Sequence, residues 1–363
     1  MAQNLKNDVK AGRVPMRGVN LGGWLVAEHW MTSASPAWNE VPEHIAKLGE
    51  FKTMQHLGHA KGDSQFNQHR DTYITEEDFR DIAKAKMNTV RIPVGYWITG
   101  FDNQPGGDPD GWKVYAPGAI NYLDRAIREW APRNDILVLI SFHAAKGSQN
   151  GNDHSSPADP GNSHWSHYPE NVQNTVDAVE WLAKRYNNDA AFLGIGLLNE
   201  PEKTTNEEVL KKYYHEAYAR IRAFSDCLLT VSPLLYQQKP HDSDWARFMQ
   251  APQFQGIRHE WHRYQVWGYE GWDKNRLINY AENDLRNEIG AWTGNWLFFG
   301  EWSVASSASF NNDDLRRYAR AQIDAYAQSS GGWTYWTWKF YNDNLSNNGW
   351  SMKAMLHHGI IQL

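Results

Sequence analysis

FLGIGLLNEPEK, residues 192–203, is a short apolar run that ends abruptly on Asn199, Glu200 and Pro201. A run of this kind reads as a strand buried on both faces of a parallel sheet. Seven other runs share its character: RGVNLGGWLV from Arg17, NTVRIPVGYW from Asn88, DILVLISFH from Asp135, CLLTVSPLL from Cys227, GIRHEWHRY from Gly256, NWLFFGEWS from Asn295 and GWTYWTWKF from Gly332. Helical stretches lie between them: TEEDFRDIAKAK, NYLDRAIREWAPR, NTVDAVEWLAKRYNND, EVLKKYYHEAYARIRAF, NRLINYAENDLRNEI and DDLRRYARAQIDAYAQS. In the fourth of these, Leu210, Tyr213, Ala217, Ile221 and Phe224 recur at the steps of one buried helix face. Between the fifth and sixth strands only SDWARFMQ carries a weak helical signal. Eight strand–helix alternations predict an α/β chain folded as a (β/α)8 TIM barrel, an architecture that needs about 250 residues and accepts long active-site loops. An open doubly wound sheet is the competing arrangement. The surplus lies mainly in residues 26–74 and 144–169, the second too rich in Gly, Ser, Asn and Pro to be helical. With no repeat, low-complexity tail or linker, residues 1–363 are expected to form a single domain.

Composition excludes several classes. At 363 residues with 41% hydrophobic and 13% aromatic content, the chain can bury a large core. Its net charge of -6, without a lysine- or arginine-rich run, argues against nucleic acid as a partner. Cys227 stands alone, so neither an internal disulfide nor a cysteine-based metal site can form. The opening MAQNLKNDVK lacks the apolar core of a secretory signal, and no stretch approaches the length of a membrane span. No membrane partner is expected, and the compartment stays open. The sequon Asn344-Leu345-Ser346 is too common a pattern to decide it.

In a barrel, active-site residues come from the C-terminal strand ends and the loops after them. Those ends carry Arg91, His143, Asn199, Glu200, His262, Tyr264, Glu301, Trp338 and Lys339. Glu200 and Glu301 each close a strongly apolar run, so barrel closure points both into one cavity mouth. Two facing carboxylates with neither metal nor cofactor are the equipment of glycoside hydrolysis. Arg91 is placed to hold one of them ionised, and the charge of that one would keep the other protonated near neutral pH. Plainer readings exist. A Glu before Pro often occupies the first turn of a helix, Glu301 alone would serve as a buried ion-pair partner, and His143 and His262 would serve as hydrogen-bonded core histidines. The HEWH of His259 and His262 lacks the HExxH spacing of a zinc site, GVNLGGW lacks the Lys and Ser/Thr of a phosphate loop and reads as close backbone packing, and GEWS is not the GxSxG of a serine hydrolase. Nineteen tryptophans are many for this length. Trp24, Trp30, Trp97, Trp165, Trp267, Trp302 and Trp338 cluster beside the polar strand ends, where aromatic faces stack on sugar rings.

Taken in order, RGVNLGGWLVAEHW, TVRIPVGYW, SFHAAKGSQNG, LLNEP, HRYQVW, GEWS and YWTWK resemble the exo-β-1,3-glucanases (glucan 1,3-β-glucosidases) of glycoside hydrolase family 5, best known from fungi. The resemblance runs from about residue 17 to beyond residue 340. It implies a retaining enzyme that releases glucose from β-1,3-glucan, with Glu200 as acid/base and Glu301 as nucleophile. Arg91, His143, Asn199, His262, Tyr264 and Trp338 would line the glucose subsite, and Glu28 and Asp153 would bind the terminal glucose. A β-1,6-glucanase or a broader β-glucosidase is the runner-up, and a barrel that binds glucan without cleaving it is a distant third. No cofactor is implied, a monomer is expected, and the family's compartment is extracellular or the cell wall. Two features depart from the pattern: the disulfides of secreted fungal members have no counterpart here, and Asn152 stands where those enzymes carry an aromatic that faces the position of Trp267 across the cleft entrance.

Overall fold

The computed structural model describes residues 2–107 and 111–363. Eight parallel strands close into a barrel in chain order. They are β1 Arg17–Asn20, β2 Thr89–Gly95, β3 Leu137–Ala144, β4 Phe192–Gly196, β5 Leu228–Val231, β6 Ile257–Arg263, β7 Leu297–Trp302 and β8 Trp333–Tyr335. Each falls on a run predicted as a strand. β1 pairs with β8, Gly18 opposite Thr334, and this closure excludes the open sheet.

Helices cover the strands from outside. In Glu207–Arg222, Leu210, Tyr213, Ala217 and Ile221 are all buried, as their spacing requires, and each of Leu210 and Ile221 contributes roughly 1.5–3 kcal/mol by leaving water. The weak signal between β5 and β6 corresponds to a short helix, Ser243–Arg247, whose N-cap Asp242 accepts a hydrogen bond from the Trp245 amide. Between Ala144, the last residue of β3, and Pro169, where the helix Pro169–Tyr186 begins, the chain carries only the short 3-10 turns Asp153–Ser155 and Trp165–His167.

Two regions hold more structure than the sequence reading assigned. Within residues 26–74, helices Glu50–Leu57 and His59–Tyr73 are joined by a buried ion pair, Glu50 to Arg70 at 2.9 Å. The polar opening forms a helix, Ala2–Lys10, under the base of the barrel. Its Val9 joins Met16, Leu137, Leu139, Leu193, Leu228 and Phe298 in an apolar cluster at the N-terminal ends of the strands. Arg258 of β6, buried there, donates to the carbonyls of Val9 at 2.6 Å and Gly331 at 2.8 Å. Among the described residues no helix is long and apolar enough to cross a membrane.

Candidate active site

At the opposite end, the C-terminal ends of the strands surround a cavity of about 870 Å³. Two local irregularities aim the glutamates into it. On β7, Phe298 faces the barrel interior while Phe299 packs outward on Tyr326, with ring centroids 4.5 Å apart. Plain alternation would turn Gly300 inward and Glu301 outward. The β6–β7 register skips here, Trp261 pairing with Phe299 and His262 with Glu301, and this swings Glu301 into the cavity beside His262. Glu200 follows β4 in a left-handed backbone conformation, φ 44°, which residues other than glycine rarely adopt. The next helix begins only at Glu207, so the helix-first-turn reading of Glu200 does not hold.

His262 lies between the two acids. Its Nδ1 is 2.6 Å from Glu200 Oε1 and 3.5 Å from Glu301 Oε2. Its Nε2 is 3.2 Å from Oε1 of a third buried carboxylate, Glu260. Arg91 donates from Nη1 to Glu301 Oε1 at 3.0 Å and to Asn20 Oδ1 at 2.8 Å, and from Nη2 to Asn199 Oδ1 at 2.7 Å. The Tyr264 hydroxyl donates to Glu301 Oε2 at 2.7 Å, so both oxygens of Glu301 accept. His154 Nε2 stands 3.4 Å from Glu200 Oε2.

These contacts set the charges. Burial opposes the charge of His262, but the Glu301 carboxylate and the bonds to Glu200 and Glu260 outweigh it and hold the imidazolium up to about 10. Burial also favours neutral Glu200, yet the bond to His262 and the charges of His262, His154 and Arg91 draw it down to about 2. Glu301 stays raised: burial and the Glu200 charge prevail over His262, Arg91 and Tyr264. The three groups therefore hold their protons in common. Donor atoms of Glu200, His262 and Glu301 lie within 4.8 Å of one another, a spacing that a cation would bridge only by displacing the His262 proton. Burial first, then Arg91, His154 and His262, push His143 well below its ordinary value, leaving a neutral ring stacked on Trp336 at 5.6 Å. Glu28 is pushed well above its ordinary value by burial and then by Asp153. Its Oε2 accepts from Trp30 Nε1 at 2.8 Å, while its buried Oε1 has no hydrogen-bond partner among the described residues.

Of the residues expected at the site, Glu28, His143, Asp153, Glu200, His262, Tyr264, Trp267 and Glu301 line the cavity. Three do not. Arg91 and Asn199 are buried beneath the floor, where their polar atoms face each other, Glu301 and His143. Trp338 is packed in the core and gives its Nε1 to Asp78 of helix Glu76–Lys84 at 2.9 Å; the tryptophan that lines the cavity is Trp336. Trp24, Trp97, Trp165 and Trp302 are likewise core residues, with Trp97 flat on Tyr115 at 3.7 Å and Trp165 bonded to Thr175. His259 faces away from His262, edge-on to Trp292, as a three-residue step along a strand requires. Gly22 does serve close packing, since a Cβ there would come within 2.8 Å of the Trp336 ring.

The sequence reading missed His154, Trp336, Trp350, Tyr236 and Glu202 on the cavity wall, and Glu260 beneath it. Glu260 had a signal: it sits two residues before His262 on one strand face. Trp350 follows a loop of Asn, Ser and Gly and had none.

Residues 51–342 match the family described as Cellulase (glycosyl hydrolase family 5). A probable glucan 1,3-β-glucosidase A of Emericella nidulans is 31% identical over 95% of this chain and 89% of its own length. A glucan 1,3-β-glucosidase of Blumeria graminis is 31% identical over 89% of this chain and 82% of its own, and one of Yarrowia lipolytica is 30% identical over 96% and 89%. In fold, a rutinosidase from Aspergillus niger superposes with a TM-score of 0.76 at 18% identity, covering 96% of this chain and 98% of that one. An endoglucanase of Thermotoga maritima gives 0.58 at 17% identity, covering 98% and 99%. With four-fifths of the chain inside the family match and fungal relatives alike over nearly its whole length, the chain belongs to glycosyl hydrolase family 5 and is a glycoside hydrolase.

Proposed function

We propose that the chain is a retaining exo-β-1,3-glucanase, a single catalytic domain acting as a monomer, that releases glucose from the non-reducing end of β-1,3-glucan with Glu301 as nucleophile and Glu200 as acid/base. The observation that carries the mechanism is the closeness of the two carboxylates, whose oxygens come within 4.8 Å of each other with His262 between them. Retaining enzymes hold their carboxyls about 5–5.5 Å apart, whereas inverting ones need roughly 6.5–9.5 Å to admit a water. The substrate is supported by the names of the fungal relatives.

In the first half-reaction a Glu301 oxygen bonds to the anomeric carbon as the glycosidic C–O bond breaks. The hydrogen bonds from Arg91 and Tyr264 aim Glu301 at that carbon and favour its ionised form against burial and the Glu200 charge. Glu200 delivers a proton to the departing oxygen. In the resting site His262 Nδ1 stands 2.6 Å from Glu200 Oε1, close enough to hand it that proton. In the second half-reaction Glu200 takes a proton from water, the hydroxide attacks the anomeric carbon, and the bond to Glu301 breaks with configuration retained.

The test is incubation with laminarin and with β-1,3-, β-1,4- and β-1,6-linked glucose disaccharides. Glucose from the first two substrates only, or a strong β-1,3 preference, supports the reading; a β-1,6 preference overturns the linkage, and no hydrolysis overturns the enzyme. Glu200→Ala should be rescued by azide to the β-azide on an activated aryl glucoside. Glu301→Gly should lose hydrolysis but transfer glucose from α-glucosyl fluoride. An α-azide from the Glu200 variant would reverse the two roles.

A further inference from the structure

Strand β6 sends Arg258, Glu260 and His262 into the barrel at three successive levels. Arg258 belongs to the base and His262 to the cavity. Glu260, between them, is 2% exposed and touches no part of the cavity, so contact with sugar does not account for it. A buried carboxylate is costly unless it is paired and hydrogen-bonded. Here its Oε1 lies 2.8 Å from Arg91 Nη2 and 3.2 Å from His262 Nε2, and its Oε2 accepts from the Thr230 hydroxyl of β5. Neighbouring strands leave room for it. A Cβ on Gly300 of β7 would meet Glu260 Oε1 at 2.0 Å, and one on Gly196 of β4 would meet Oε2 at 3.2 Å. The glycines that precede both glutamates along their segments thus make space for a third acid.

We propose that Glu260 is a positioning residue for the reaction: from beneath the cavity it fixes Arg91 and His262, the two cations that hold Glu301 and Glu200, and its charge retains the proton that the leaving oxygen takes. The proposal rests on the roles given above to the two cavity glutamates. The charge count supports it. Arg91 and His262, the cations that Glu260 touches, bring two positive charges against the carboxylates Glu200, Glu260 and Glu301, with His143 neutral, Tyr264 a phenol and His154 facing Glu200 from the cavity wall at 3.4 Å. A buried cluster with a surplus of carboxylates releases its last protons reluctantly. Without Glu260 the surplus disappears, and His262 loses the acceptor that orients its ring and presents Nδ1 to Glu200.

Glu260→Gln keeps the shape and removes the charge. Two readouts are taken on the full chain: the ¹⁵N NMR titration of the His262 ring, which needs no substrate, and the pH profile of kcat/KM on an aryl β-glucoside. The variant should lose its His262 proton at lower pH. The alkaline limb of its profile should fall by about one pH unit, and kcat should drop on the order of 10–100-fold with KM little changed. An unchanged His262 titration, or a moved titration with an unmoved alkaline limb, overturns the proposal, since a merely structural residue would lower activity without displacing the profile. If the variant does not fold, the wild-type chain still decides: His262 must carry both ring protons at pH 7.5, and a neutral ring there overturns the proposal. Absence of any hydrolysis by the wild-type chain would sink the catalytic reading alone, because the His262 titrations are read without it.

Discussion

The Tyr264 hydroxyl donates to Glu301 Oε2 at 2.7 Å, on the opposite oxygen from the one that Arg91 engages. The phenol is buried and pushed well above its ordinary pKa by that burial and by Glu301, so it remains a donor throughout the working range. Removing it with Tyr264→Phe deletes one hydrogen bond to a charged group, about 1.5–3 kcal/mol, or roughly 10–100-fold in kcat/KM. The sign of the pH effect follows. Glu301 loses a partner of its ionised form, its pKa rises further, and the acidic limb of the profile moves to higher pH. A variant with an unmoved acidic limb would mean that Tyr264 does not act through Glu301.

Glu28 offers a stability test. Its folded pKa lies well above the ordinary 4.5, with burial the main cause. The folded chain therefore binds this proton more tightly than the unfolded chain, and stability falls as pH rises from about 4.5 toward the folded value. Glu28→Gln has no such proton to lose. The Tm of the variant minus that of the wild type should grow as pH rises, and a difference that is flat with pH would show Glu28 to be ionised like a surface glutamate.

Trp336 and Trp338 should separate cleanly. Trp338→Phe removes the bond to Asp78 and should cost roughly 1–3 kcal/mol, lowering Tm by several degrees with KM unchanged. Trp336→Ala removes a cavity wall and should raise KM for laminaribiose. Equal effects of both on KM would return Trp338 to the sugar site.

The cleft entrance carries Asn152, whose amide donates to Glu202 at 3.0 Å, and Trp267, 66% exposed. Trp165 is fully buried and supplies no second aromatic wall. With Asn152 rather than an aromatic at this position, the acceptor side should be weaker by on the order of 1 kcal/mol than with a second stacking face opposite Trp267. Asn152→Phe is expected to raise kcat/KM for laminaritriose more than for an aryl glucoside. Exposed Tyr236 lines the same cavity, and an unchanged ratio would mean that it already fills this role.

Much of this was legible in the chain. Eight apolar runs with helical stretches between them define the barrel, because strand and helix periods differ and the parallel strands are buried on both sides. Glu200 and Glu301 stood out because an acid ending an apolar run has few other reasons to be there. What the sequence concealed depended on departures from regular period. The register skip that aims Glu301 leaves no mark in FFGEWS, and in YWTWKF either tryptophan could face the cavity until Asp78 is seen to hold Trp338. Loop residues such as His154 and Trp350 reach the wall through chain reversals that no periodicity encodes.

The helix Ala2–Lys10 has a consequence for the order of assembly. Its seat is made by residues distant in the chain: Arg258 caps Val9, Phe298 and Leu228 pack on it, and the Met16 carbonyl accepts from the Trp333 amide. Those partners emerge during synthesis only after most of the barrel has been made. Contacts of such long sequence separation form slowly, because a long loop must first be closed. The helix therefore docks after the strands that make its seat, and until it does the lower leucines of the barrel lie open to water and to other chains.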